Sequence, residues 1–178
     1  MKLHFLTATL LAVLPLGAAD NSAPASARPI PNELIDYPQY LRIAREVQPI
    51  REKHRLTEEQ FAAMAAEPGT VVLDARSADK FQLRHIRGAV SLPFTDFTAE
   101  SLAKTIPAKT TRILIYCNNN FRGAPISLRS KSPAASLNIS TYVALATYGY
   151  TNIYELGPLL DVKTTKLVFE GTELSETR

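Results

Sequence analysis

The sequence predicts an α/β domain built on a parallel sheet with helices on both faces. Three observations predict it. Short β-branched and apolar runs recur along the chain, amphipathic stretches lie between them, and Gly, Pro and Asn punctuate the junctions from His54 to Asp161. Strands alternating with helices need crossover connections, and crossovers cover both faces of a parallel sheet.

The elements follow in order. Leu34, Ile35, Tyr40, Leu41, Ile43, Ala44 and Val47 are spaced for a short amphipathic helix after Pro38, ending near Pro49. Such a helix packs against the domain or forms a partner surface. Thr57 is placed to cap a helix through Phe61 and Met64, closed by Pro68-Gly69. Residues 70–74 (TVVLD) have the composition of a buried strand. Residues 77–84 predict a short helix, 89–93 a second strand and 98–104 another helix. Residues 112–116 (RILIY) are the strongest strand signal in the chain. A longer helix covers 138–148 with Gly149 at its stop, and residues 152–156 form the last core strand. In the tail, Leu167-Val168-Phe169 is placed to add an edge strand.

The start of the chain has a different character. Met1-Lys2 is followed by a largely apolar stretch to Leu16, and then by Gly17-Ala18-Ala19. A positive start, a short apolar core and small residues form the secretory pattern. The expectation is a signal peptide over 1–19, with cleavage as late as 27, and a periplasmic protein without stable membrane insertion after the cut. The apolar run is shorter than the ~20 residues that span a bilayer, and Pro15 interrupts it. The predicted organisation is then a leader and helical extension over 20–53, one domain over 54–161 and a tail over 162–178.

Composition narrows the function. With 46% hydrophobic and 21% charged residues the chain is globular rather than disordered. Its net charge of +3 is not gathered into a basic block with interleaved aromatics, so no nucleic-acid surface is expected. His4, His54 and His85 are scattered around one cysteine, which leaves no metal-ligand spacing, and no cofactor is expected. A single cysteine in an oxidising compartment forms no internal bridge. It is either a packed apolar residue or a thiol kept for its reactivity.

That residue, Cys117, directly follows the run 112–116, at the carboxyl end of a strand where open α/β sheets build their sites. The next residues are Asn118, Asn119, Asn120, Phe121 and Arg122. Asparagines favour turns, and a tight turn can aim backbone N–H groups inward as an anion-binding nest. Such dipoles and the Arg122 cation would favour a thiolate, the nucleophilic form.

Leu73-Asp74-Ala75-Arg76, Phe81, His85-Ile86-Arg87-Gly88-Ala89 and Tyr116-Cys117 with Arg122 resemble, in order and spacing, the signatures of the rhodanese family. Residues 150–157 resemble that family's last helix-to-strand stretch. The resemblance implies a three-layer fold with a central five-stranded parallel sheet. It also implies sulfurtransferase or persulfide-carrier chemistry, in which the loop cysteine takes sulfane sulfur from a donor such as thiosulfate and passes it to a thiol or cyanide. Under this reading Cys117 is catalytic, and Asn118, Asn119, Asn120, Phe121, Arg122 and Lys80 bind a small anionic donor. Asp74 and Arg76 form a supporting charge pair, and His85 shapes a turn. The loop from Cys117 to Arg122 has the length typical of sulfurtransferase members, whereas the related phosphatases and arsenate reductases carry one residue more.

Two departures stand out. Gly123-Ala124-Pro125 and Ser132-Pro133 interrupt the place where the family starts a helix, so either Pro125 opens a short helix or an irregular insertion follows the loop. Arg129 and Lys131 within it could cover the site or bind an acceptor. Leu156-Gly157-Pro158 lacks the glycine pair often found after the final strand. The alternative function is a non-catalytic binding module that docks a periplasmic partner through residues 33–53 or the insertion. Asn138-Ile139-Ser140 also matches a glycosylation acceptor.

Overall fold

In a computed structural model, residues 30–174 are described. The expected signal peptide and its cleavage sites lie outside them. The chain divides into a short unit ending at Ile35 and a main unit from Asp36 onward. In the first, Leu34 and Ile35 turn back on Asn32 through hydrogen bonds to its side chain and carbonyl.

The main unit contains helices α1 (Tyr37–Lys53), α2 (Glu58–Ala65), α3 (Ala78–Leu83), α4 (Ala99–Thr105) and α5 (Leu137–Thr147). Its strands are β1 (Arg55–Leu56), β2 (Thr70–Asp74), β3 (His85–Ile86), β4 (Val90–Ser91), β5 (Arg112–Tyr116), β6 (Phe121–Arg122), β7 (Ile153–Leu156), β8 (Leu160–Asp161) and β9 (Phe169–Glu170). The central sheet runs β1-β7-β5-β2-β4, and all its pairings are parallel.

Alternation along the central strands divides two cores. Ile113 and Ile115 of β5 join Leu73, Leu102, Tyr142 and Leu145 on the face covered by α4 and α5, with Val47 of α1 packed alongside. Leu114 and Tyr116 join Val72, Phe61 and Leu156 on the face covered by α2. The three-layer architecture therefore follows from apolar side chains at every position of a buried parallel strand.

Local chemistry sets the helix ends. Thr57 and Gln60 cap each other's backbone at the start of α2, and Thr98 does the same with Ser101 for α4. Gly149, with φ 84°, takes the left-handed turn after α5.

Three expectations are corrected. Helix α1 does not end near Pro49 but continues one turn to Lys53, because a proline inside the helix removes one hydrogen bond while Arg51 beyond it is anchored to Glu155. The tail strand does not join the central sheet. It pairs antiparallel with β3 in a separate ribbon. The expected strand 89–93 shrinks to Val90–Ser91. After the cysteine loop the chain is irregular, with one 3-10 turn at Pro133–Ala135 before α5. Among the described residues no helix is long and apolar enough to cross a membrane.

Candidate functional site

The site lies at the carboxyl ends of β2 and β5, which stand in register at Asp74 and Tyr116. Both residues point to the α2 face and build a buried network. Arg76 donates from Nε and Nη2 to the Asp74 carboxylate at 2.6–3.1 Å, and the Tyr116 hydroxyl donates to Oδ2 at 2.6 Å. Arg76 also donates to the carbonyls of Ser127 and Arg84 at 3.0 and 2.7 Å. Burial works against the Arg76 charge, yet the adjacent carboxylate outweighs it and holds the guanidinium above its ordinary value. Burial, and then the negative charge of Asp74, raise Tyr116 well above the usual phenol range, which keeps it a donor. Asp74 and Arg76 are thus a buried ion pair.

Cys117 is next on β5's path, and alternation turns it toward the face covered by α5. It is buried, 1% exposed. Its sulfur lies 3.5 Å from the Ser136 hydroxyl. Ser136 is the N-cap residue of α5 but makes no side-chain cap hydrogen bond. An N-cap serine ordinarily spends its hydroxyl on a first-turn N–H. Here the hydroxyl approaches the sulfur instead, and the positive end of the helix dipole lies beside it. The insertion thus loops out and returns the helix start to the cysteine.

The loop spends two of its amides on itself. Residues 118–120 form a 3-10 turn in which Asn120 N–H donates to the Cys117 carbonyl and Phe121 N–H to the Asn118 carbonyl. Asn120 Oδ1 accepts from Cys117 N–H at 2.9 Å and from Asn138 at 3.0 Å, while its amide donates to the Leu156 and Pro158 carbonyls. Phe121 is buried between Tyr116 and Phe169. Arg122 is 69% exposed and stands 3.5 Å from Asp161, on a parallel ribbon formed by β6 and β8. The nest expected at 118–122 is corrected at Asn120 and Phe121, whose N–H groups are spent inside the turn.

Beside the cysteine lies a cleft of about 690 Å³, between the segments at 75–80, 93–96 and 127–131. Asn118 and Lys80 line it, whereas Cys117, Asn119, Asn120, Phe121 and Arg122 do not. The insertion forms one wall and is strapped down at several points. Lys80 Nζ donates to the Ile126 carbonyl at 2.7 Å, Asn118 donates to the Arg129 carbonyl, and Asn119 exchanges two hydrogen bonds with the Lys131 backbone. Ser127 donates to Glu173 at 2.6 Å.

Ser136 is the residue that sequence reasoning missed. Its one signal was a serine just before a helical run, the usual mark of a cap. His85 stacks on Phe81 and bonds that residue's carbonyl, a structural role. Asn138 is 5% exposed and bonded to Asn120, so the folded chain does not present it for glycosylation. Among the described residues no group of three or more His, Cys, Asp or Glu could hold a metal.

The family model for the rhodanese-like domain matches residues 57–157. The chain belongs to the rhodanese-like domain family. A solution structure of the rhodanese-like domain from an Anabaena sp. protein is 18% identical, with a TM-score of 0.50 over 68% of this chain and 82% of that one. A crystal structure of a Bacillus halodurans protein is 16% identical, with a TM-score of 0.50 over 75% and 88%. At these identities the likeness speaks to the fold. No protein of curated function matches the sequence.

Proposed function

We propose that this rhodanese-like domain is a sulfurtransferase or persulfide carrier, with Cys117 as the sulfur-bearing residue. The observation that carries the reading is the setting of that sulfur. It sits 3.5 Å from a hydroxyl at the N-terminal end of α5, and its chain neighbour Asn118 lines a cleft with cationic walls. The hydroxyl and the positive end of the helix dipole stand where a sulfur-bound negative charge would be held.

In the first half-reaction the thiolate attacks the outer sulfur of a donor such as thiosulfate. A bond forms from Sγ to that sulfur, the donor's S–S bond breaks, and sulfite leaves with the electron pair. In the second, an acceptor thiolate attacks the terminal sulfur and the Cys117 thiolate departs. Because Cys117 is 1% exposed, this reading requires the groups that cover it to open during each cycle. Lys80 and the insertion cations face the cleft and take the anion-binding role; Arg122, held toward Asp161, does not.

Mass spectrometry of the intact protein after exposure to thiosulfate or polysulfide tests the reading. The expected result is a gain of one sulfur on the wild type and none on Cys117→Ser. A second reading, a binding module with an incidental cysteine, is favoured by the closed sulfur and by the turn's self-satisfied amides. If no donor adds sulfur and the thiol titrates sluggishly, that second reading takes its place.

A further inference from the structure

We propose that the cleft next to Cys117 binds an organic thiol or persulfide carrying two carboxylates, with its carbon body on the apolar walls and its charges on the cations of the lining. Its sulfur chemistry rests on the reading above, whereas the binding does not.

Size is the first argument. Clefts of roughly 300–1,000 Å³ hold drug-sized molecules, and this one, at about 690 Å³, is far larger than thiosulfate or cyanide. A small inorganic anion would leave most of its walls wet. Those walls are apolar where a carbon body would lie: Ala75, Ala78, Pro93, Phe94 and Leu137 line them.

Charge is the second. Arg76 lines the cleft, but Asp74 already neutralises it. Lys80, Arg129 and Lys131 remain, and Asp96 opposes them. Three positive charges against one negative leave two for a ligand to neutralise. The Lys80 ammonium donates only to a carbonyl, which does not cancel its charge. The side chains of Arg129 and Lys131 are exposed and have no ion pair among the described residues.

Placement is the third. Asn118 and Leu137 line the cleft, and they are the chain neighbours of Cys117 and Ser136, whose sulfur and hydroxyl are 3.5 Å apart. A ligand seated there lies one residue along the chain from both groups. The backbones of those same two residues hold the side chains of Asn118 and Asn119. Engaging those two cations thus acts on the segment that holds the residues next to the cysteine.

The test is calorimetric titration of the full chain with (benzylthio)succinate, a dicarboxylate whose thioether cannot react, alongside its uncharged dimethyl ester. The dicarboxylate is expected to bind the wild type and Cys117→Ala equally. Binding should weaken about tenfold in the double variant Arg129→Ala/Lys131→Ala and with the diester, and fall as salt rises. Equal affinity for the diester, indifference to the double variant, or no binding at millimolar concentration overturns the proposal. The two readings fail separately. If the dicarboxylate binds as described but no donor adds sulfur to Cys117, the cleft assignment stands and the carrier reading falls. If sulfur adds and the dicarboxylate does not bind, only the cleft assignment falls.

Discussion

At the carboxyl end of β2, both Asp74 carboxylate oxygens accept at least two hydrogen bonds; at the carboxyl end of β5, the Cys117 sulfur has one hydroxyl 3.5 Å away. The two ends are adjacent in the sheet and equally buried. Around Asp74 the polar groups of Arg76 and Tyr116 are used up, joining β2 to β5, to the carbonyl of Arg84 and to the insertion at Ser127. Around Cys117 the fold leaves capacity unspent. Ser136 forgoes its cap, and Asn138 Oδ1, on a residue 5% exposed, has no partner among the described residues. Buried polar groups are normally paired, so a saturated network reads as scaffold and an unsaturated one as a place kept for something else.

If that contrast is sound, breaking the saturated end should cost stability most. Arg76→Ala leaves the Asp74 carboxylate buried with Tyr116 and one N–H as its remaining donors, and removes a clamp on the insertion. The expected cost is about 3–5 kcal/mol, measured by denaturant unfolding. Substituting both partners, Asp74→Leu with Arg76→Met, removes the stranded charge and should recover much of that loss. A cost below about 1 kcal/mol for Arg76→Ala would show that the network is not scaffold at all.

How far the two ends were legible in the sequence differs for the same reason. The β2 and β5 strands, and Asp74, Arg76 and Cys117 at their ends, could be located because long β-branched runs flanked by turn residues carry their own signal. β1 could not, since two residues have no periodicity and Arg55–Leu56 becomes a strand only by pairing with β7. Ser136 was hidden because its relation to Cys117 is made in space, by an irregular insertion that brings the start of α5 back to the sulfur. The inward-facing amides were expected from the asparagines' liking for turns. They do make a turn, but one tight enough to satisfy its own N–H groups at Asn120 and Phe121.

A second buried carboxylate sharpens the comparison with a smaller effect. Glu155, 2% exposed, is held by Arg51 at 2.7 and 2.8 Å and approached by Arg55. Burial pushes it up, Arg51 and then Arg55 pull it back, and it stays above its ordinary value of 4.5. A carboxyl raised on folding stabilises the fold when protonated. Its contribution is complete below the ordinary value and is lost as pH rises through the folded one. The difference in unfolding free energy between the wild type and Glu155→Gln should therefore move against the wild type as pH climbs from about 4.5 upward. A difference moving in the wild type's favour would mean that the arginines dominate, which would place Glu155 with Asp74.

The smallest expected effect falls on the unsaturated end and concerns rate more than stability. Ser136→Ala removes the one hydroxyl near the sulfur without stranding a charge or an N–H that it was capping. Unfolding should shift by less than about 0.5 kcal/mol, while alkylation of Cys117 by iodoacetamide at fixed pH should slow about fivefold, the worth of one hydrogen bond near 1 kcal/mol. Ser136→Thr, which keeps a hydroxyl, should restore most of the rate. If the alanine variant instead reacts faster, Ser136 acts as part of the cover over a closed cysteine. The spare capacity at this end of β5 would then be packing slack rather than a prepared site.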